Sequence, residues 1–119
     1  ATSRADWLLY NEEERDKYLN DPHIPAQITA SLMYELLSGM INCVSKKAKT
    51  SSLAPVYILS GSDDAVSEYG KNIKTTVNLM TKQGFNIKDT VIFDNMRHDI
   101  LHEKNNIKVL DYIYEAITH

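Results

Sequence analysis

Two short runs of β-branched and aromatic residues, Pro55-Val56-Tyr57-Ile58-Leu59 and Thr90-Val91-Ile92-Phe93, set the strongest limit on the fold. Each reads as a buried strand, and a helical period lies between them. In that interval Tyr69, Ile73, Val77 and Met80 recur at helical spacing up to Gly84, which stands where a left-handed glycine closes a helix. The spacing predicts a helix over 68–83. A closing helix over 105–117 follows the second run, with Ile107, Leu110, Tyr114 and Ile117 on one side. Strand, helix, strand, helix implies a right-handed βαβ unit with parallel strands, so the fold class is α/β. A parallel sheet is covered on both faces, and two strands are too few to make a stable one. The strand shortage therefore predicts a chain that belongs to a larger domain.

Ahead of the first run the chain reads as helical. A short polar helix over 11–19 opens with Glu12, Glu13 and Glu14, acids that suit the positive end of a helix. Asn20-Asp21-Pro22-His23-Ile24-Pro25 breaks it, because each proline restricts itself and its predecessor. From 27 to 44, Ile28, Leu32, Leu36 and Met40, with Met33, Leu37, Ile41 and Val44, form a broad apolar stripe that is expected to be buried against another layer. Residues 45–52 (SKKAKTSS) read as a solvated polar connector. The chain thus divides into a helical region with its connector over 1–53 and a βα region over 54–119.

Composition excludes several functions. With 43% apolar and 24% charged residues the chain is of ordinary globular make-up. Thirteen Lys and Arg against sixteen Asp and Glu give a net charge of −3, so no basic surplus drives binding to nucleic acid or anionic lipid. No apolar run approaches the ~18 to 20 residues of a membrane span. The single cysteine, Cys43, excludes an intrachain disulfide and a multi-cysteine metal site, suits a reducing, cytoplasmic compartment, and is expected to be a small buried residue. The four glycines, Gly39, Gly61, Gly70 and Gly84, are 22, 9 and 14 residues apart. A dinucleotide fingerprint, a Walker loop and the Gly-x-Ser-x-Gly nucleophile elbow all need closer glycines, and none is present.

In open α/β sheets, functional groups collect at the carboxyl ends of the strands. Gly61-Ser62-Asp63-Asp64 follows the first run and Asp94-Asn95-Met96-Arg97-His98-Asp99 follows the second. One set offers carboxylates and the other an imidazole at the same sheet edge, which is two thirds of a nucleophilic triad. The plain alternative is turn chemistry for the aspartates and a solvated loop histidine. His98 and His102 also stand at i, i+4, as in the zinc pattern His-Glu-x-x-His. Aspartate is a methylene shorter than glutamate as a base, however, and no third ligand is evident. His102 reads as a hydrogen-bonding support of the loop, and His23 and His119 as exposed residues.

Pro55-Val56-Tyr57-Ile58-Leu59-Ser60-Gly61-Ser62-Asp63-Asp64-Ala65-Val66 resembles the strand and Gly-x-x-Asp loop that carry the triad acid in α/β-hydrolases. The similarity is to the lysophospholipase and monoacylglycerol-lipase-like group, also grouped with serine aminopeptidases. Arg97-His98-Asp99-Ile100-Leu101-His102-Glu103 is similar to the family's Arg-His-Glu-x-Leu-Asn-Glu. Trp7-Leu8, Asn20-Asp21-Pro22, Thr29-Ala30 and Leu36-Leu37-Ser38-Gly39 resemble the family's cap region, so nearly the whole chain is covered. The chain departs from the family at Asp94-Asn95-Met96, where glycine is usual, and at His23-Ile24-Pro25, which replaces a Cys-Gly-Phe; both bear on substrate shape.

The resemblance, together with the absent elbow, implies the C-terminal portion of a longer enzyme with a partial α/β-hydrolase fold: cap helices plus the last parallel strands and helices of the sheet. It implies Asp64 as the triad acid, Asp63 as a loop neighbour and His98 as the base. The serine would come from the missing N-terminal half of the same protein, and this chain alone would be inactive. The implied reaction is hydrolysis of carboxylic esters, lysophospholipid or monoacylglycerol, with no cofactor and no metal. The stripe over 28–44 would line an acyl-chain tunnel. The rival reading is a non-catalytic α/β binding or interaction module that uses the same stripe as a partner surface.

Overall fold

The computed structural model describes residues 3–25, 27–45 and 53–119. In chain order the elements are α1 (Glu12–Asn20), α2 (Ala30–Cys43), β1 (Pro55–Gly61), α3 (Ile73–Lys82), β2 (Asn86–Phe93) and α4 (Ile107–Thr118). Among the described residues β1 and β2 form a two-stranded parallel sheet, with Leu59 opposite Val91, Gly61 opposite Phe93 and an irregularity between Val56 and Tyr57. Both strands exceed the apolar runs that announce them. β2 begins at Asn86 because Pro55 and Val56 pair with Asn86 and Ile87. The exposed Lys88 and Asp89 are carried along by that pairing, which side-chain composition does not signal.

Alternate residues of the sheet face α4. Leu59, Val91 and Phe93 pack with Val109, Tyr112 and Ile113 of α4 and with Met96 and Ile100 of the following loop. The face expected to be buried was the other one: Ile107, Leu110, Tyr114 and Ile117 are exposed. α4 is apolar on two sides, and the helical period fits either; the side that meets Phe93 is the one covered. Tyr112 fixes the docking. Its ring meets Phe93 at 6.2 Å and Tyr57 at 6.4 Å, both edge-on. Its hydroxyl donates to Asp89 Oδ2 at 2.5 Å.

α3 is shorter than its period suggests, starting at Ile73 rather than near residue 68. Glu68, Tyr69 and Gly70 have φ of 50°, 58° and 82°, left-handed values that end any right-handed helix. Side chains stabilise this turn: Asp64 Oδ1 accepts from Val66 N–H at 2.9 Å and Ser67 Oγ from Gly70 N–H at 3.0 Å. At the other end Gly84 takes φ 94°, with Phe85 N–H donating to Met80 O and Gly84 N–H to Thr81 O. These two bonds make the Schellman closure that the glycine's position predicts.

α2 opens on Thr29, whose Oγ1 accepts from Leu32 N–H at 3.2 Å. Its apolar stripe is not buried as expected: Ile28, Leu32, Met33, Leu36, Leu37, Met40, Ile41 and Val44 are all exposed, and so is Cys43. Amphipathic spacing states a need for a facing layer without supplying one. Gln83 Nε2, donating to Cys43 O at 2.7 Å, ties the end of α2 to the end of α3. Of the connector expected over 45–52, residues 46–52 lie outside the described residues.

The segment before α1 turns back onto the loop after β2. Ala5, Leu8 and Leu9 are buried, and Leu8 O accepts from Asp99 N–H at 2.8 Å. Among the described residues no helix is long and apolar enough to cross a membrane.

The Tyr112–Asp89 bond gives the fold a spectroscopic handle. Accepting the phenolic proton pushes the Tyr112 pKa up to about 12, chiefly through that hydrogen bond. In an ultraviolet pH titration Tyr112 should ionise later than an ordinary tyrosine, and Asp89→Asn should return it toward the ordinary range.

Candidate active site

The site is built where the two post-strand loops touch. Gly61 ends β1, and a Cβ there would lie 2.2 Å from Met96 O and 2.3 Å from Arg97 O, so only glycine lets the backbones approach this closely. The loops are then stitched together. Ser62 N–H donates to Phe93 O and Asp63 N–H to Met96 O, each at 2.9 Å, and Asn95 N–H donates to Ser62 Oγ at 3.0 Å. Asn95 itself turns at φ 57°, a conformation asparagine tolerates better than most residues.

This seam brings Asp64 to His98. Asp64 is buried, and both its carboxylate oxygens lie 3.1 Å from His98 Nδ1. The His98 side chain is 41% exposed, so the imidazole has one nitrogen on a buried carboxylate and the rest of the ring toward the surface. Asp63 points elsewhere: its Oδ2 accepts from Tyr10 Oη–H at 2.7 Å and its Oδ1 from Ser62 Oγ–H at 2.9 Å. Donating to Asp63 keeps the Tyr10 phenol protonated and raises its pKa above the usual tyrosine value. An imidazole held at Nδ1 by a carboxylate has a fixed tautomer and leaves Nε2 to move protons. Among the described residues no hydroxyl or thiol is hydrogen-bonded to His98.

The other histidines stand apart from this pair. His102 Nδ1 lies 2.8 Å from Asp99 Oδ2, which raises its pKa, first through that hydrogen bond and then through the carboxylate's charge. The two imidazoles at i, i+4 thus each sit on their own carboxylate, in a stretch of turns rather than on a helix. Among the described residues no group of three potential ligands is placed to hold a metal ion. His23 and His119 are exposed.

Sequence reasoning did not find the third wall of the site, which comes from the other end of the chain. The Trp7 and His98 ring centroids are 5.2 Å apart. Arg97 stacks on Tyr10, with its guanidinium carbon 3.9 Å from the ring centre, and donates to Asp6 O. A groove of about 490 Å³ runs beside the pair, with Trp7, Tyr10, Ala65 and Tyr69 as walls and Asp63 and Arg97 as polar lining. Glu103 ends the motif that begins at Arg97, yet nothing in the motif says that its carboxylate meets residues 10 and 11.

The model of the family described as serine aminopeptidase, S33, matches residues 1–105. The chain belongs to the serine aminopeptidase S33 family. No curated protein matches it. Among solved structures, a highly thermostable carboxyl esterase from Bacillus coagulans, in complex with glycerol, shares the fold at a TM-score of 0.73 and 21% identity. That match covers 98% of this chain, which spans 38% of the esterase chain.

These matches correct three linked expectations: a C-terminal remnant, a partial α/β-hydrolase fold, and a missing N-terminal half as partner. S33 family sequence runs from residue 1 to residue 105, and the likeness in fold includes α1 and α2 along with the βα region. The physical reason lies in the segment before α1. Asp6, Leu8, Tyr10 and Asn11 are hydrogen-bonded to the region after β2, so this segment is joined to the site instead of belonging to a severed cap.

Two outcomes are expected here. Gly61→Ala should lower stability by about 1 to 3 kcal/mol, because the clash is with backbone that has no rotamer to change; denaturant unfolding measures it. His102 has its pKa raised in the folded chain, so its pairing stabilises the fold below the ordinary histidine pKa and that contribution is lost as pH rises through the raised value. An NMR titration should find His102 titrating above a free histidine, and Asp99→Asn should bring it back down.

Proposed function

We propose that this chain carries the acid and the base of a serine-hydrolase triad that cleaves carboxylic esters, with Asp64 as the acid and His98 as the base. The observation that carries the reading is the buried Asp64 carboxylate set with both oxygens 3.1 Å from His98 Nδ1. Burying a carboxylate is unfavourable unless it is well bonded, and a plain scaffold loop gains nothing by aiming one at a half-exposed imidazole. That argument weighs against a non-catalytic binding module. Membership of the S33 family supports the same chemistry.

In this mechanism His98 Nε2 takes the proton of a serine hydroxyl as its oxygen attacks the ester carbonyl. The tetrahedral intermediate collapses, and Nε2 hands the proton to the departing alcohol. Water then attacks the acyl-serine, giving its proton to Nε2; the second tetrahedral intermediate collapses, releasing the acid as Nε2 returns the proton to the serine oxygen. Asp64 stays ionised throughout, holding the tautomer and stabilising the imidazolium. The serine is not among the described residues that are hydrogen-bonded to His98. Residues 1–53 serve as the cap region and its connector, and residues 54–119 carry the acid and base.

For the substrate we favour lysophospholipid or monoacylglycerol, the class that the sequence motifs resemble. The groove suits an ester with an apolar arm, since Trp7, Tyr10 and Tyr69 line it beside the pair.

Treatment with a fluorophosphonate, which reacts with activated serines, followed by intact-mass analysis tests the reading. Labelling of the preparation should occur and should fall by about a thousandfold in rate in His98→Ala and in Asp64→Ala, with folding retained. Labelling that is absent, or that is as fast in His98→Ala as in the unsubstituted protein, would sink the assignment.

A further inference from the structure

We propose that Glu103 is a positioning residue for His98, gathering backbone N–H groups from both ends of the chain and so seating Trp7 against the imidazole. Glu103 is only 3% exposed. A carboxylate so deeply buried has to be compensated, and among the described residues no Lys or Arg side chain forms an ion pair with it. Its compensation comes from the main chain. Tyr10 N–H donates to Oε1 at 2.9 Å and to Oε2 at 3.0 Å, Asn11 N–H to Oε2 at 3.2 Å, and Arg97 N–H to Oε1 at 3.1 Å. Charge-assisted bonds of this kind are stronger than those between neutral groups.

The donors are the telling feature. Arg97 directly precedes His98, whereas Tyr10 and Asn11 lie 93 and 92 positions before Glu103. On the far side of His98, Asp99 N–H is bonded to Leu8 O at 2.8 Å. Both chain neighbours of His98 are therefore held, one by Glu103 and one by the segment that Glu103 anchors. Trp7 is the residue just before Leu8, and its ring lies 5.2 Å from that of His98. Asp64 fixes one nitrogen of the imidazole, while Glu103, acting through residues 7–11, sets the wall on another side. As a contribution to catalysis this rests on the reading of His98 as the triad base; as an arrangement of the loop it does not.

Trp7 is the chain's single tryptophan, which makes the test direct. A protonated imidazole quenches an indole beside it, so emission should fall when acid charges the imidazole that faces Trp7. His98→Gln should abolish that fall, and Glu103→Gln should shrink it severalfold while leaving far-ultraviolet circular dichroism unchanged. A fall that survives in His98→Gln, or that keeps its full size in Glu103→Gln, overturns the proposal. If Glu103→Gln does not fold, hydrogen exchange of the unsubstituted chain decides. Slow exchange at Tyr10, Asn11 and Arg97 supports the clamp, and exchange at the rate of exposed loop amides overturns it. Neither readout depends on reaction with fluorophosphonate. An intact clamp without labelling faults the catalytic reading alone, and His98-dependent labelling without the clamp faults this proposal alone.

Discussion

The site depends on a contact with no side chain on one partner. Where β1 ends, Gly61 lets the main chain come against the carbonyls of Met96 and Arg97 more closely than any Cβ would allow. From that approach come the bonds that join the two post-strand loops, and from the joined loops comes the meeting of Asp64 with His98. The parallel register sets the scale. Gly61 pairs with Phe93, so the last residues of both strands are level and the loops leave the sheet together.

Around this seam the chain relies on polar groups with defined partners as well as on its core. The apolar cluster of Phe93, Met96 and Val109 is small. Much of the order near the site comes instead from carboxylates with defined partners: Asp64 with Val66 and His98, Asp63 with Tyr10 and Ser62, Glu103 with three main-chain N–H groups. Such networks specify geometry sharply because each unmade bond in a buried place costs more than a made one contributes. The same feature makes them vulnerable to single substitutions.

Legibility in the sequence followed the range of the interaction. Strands and helix ends are local, so the two apolar runs, Gly84 and the breaks at Pro22 and Pro25 were visible from composition and spacing. The pairing of loops was visible too, since Asp64 and His98 follow successive parallel strands. What failed was whatever needed knowledge of a second surface. α4 is apolar on two sides, and only the position of Phe93 decides between them. The stripe of α2 states amphipathicity without naming a partner, and it lies exposed. Trp7 and Glu103 were missed for a related reason: their meeting spans most of the chain, and an isolated tryptophan near one end carries no periodic signal.

The turn after Asp64 carries a further consequence. Glu68 and Tyr69 are side-chain-bearing residues in the left-handed region, at φ 50° and 58°. Each such residue gives up about 1 to 2 kcal/mol relative to a relaxed conformation. That reserve sits in an exposed turn, while the bonds holding Asp64 are made by Val66, Tyr69 main chain and Ser67. A lineage moving to a hotter habitat could therefore recover part of it by drifting to asparagine or glycine at position 68, leaving the acid where it stands. At position 68, heat tolerance and chemistry are adjacent without being bound to the same atoms, which gives selection room to adjust one while preserving the other.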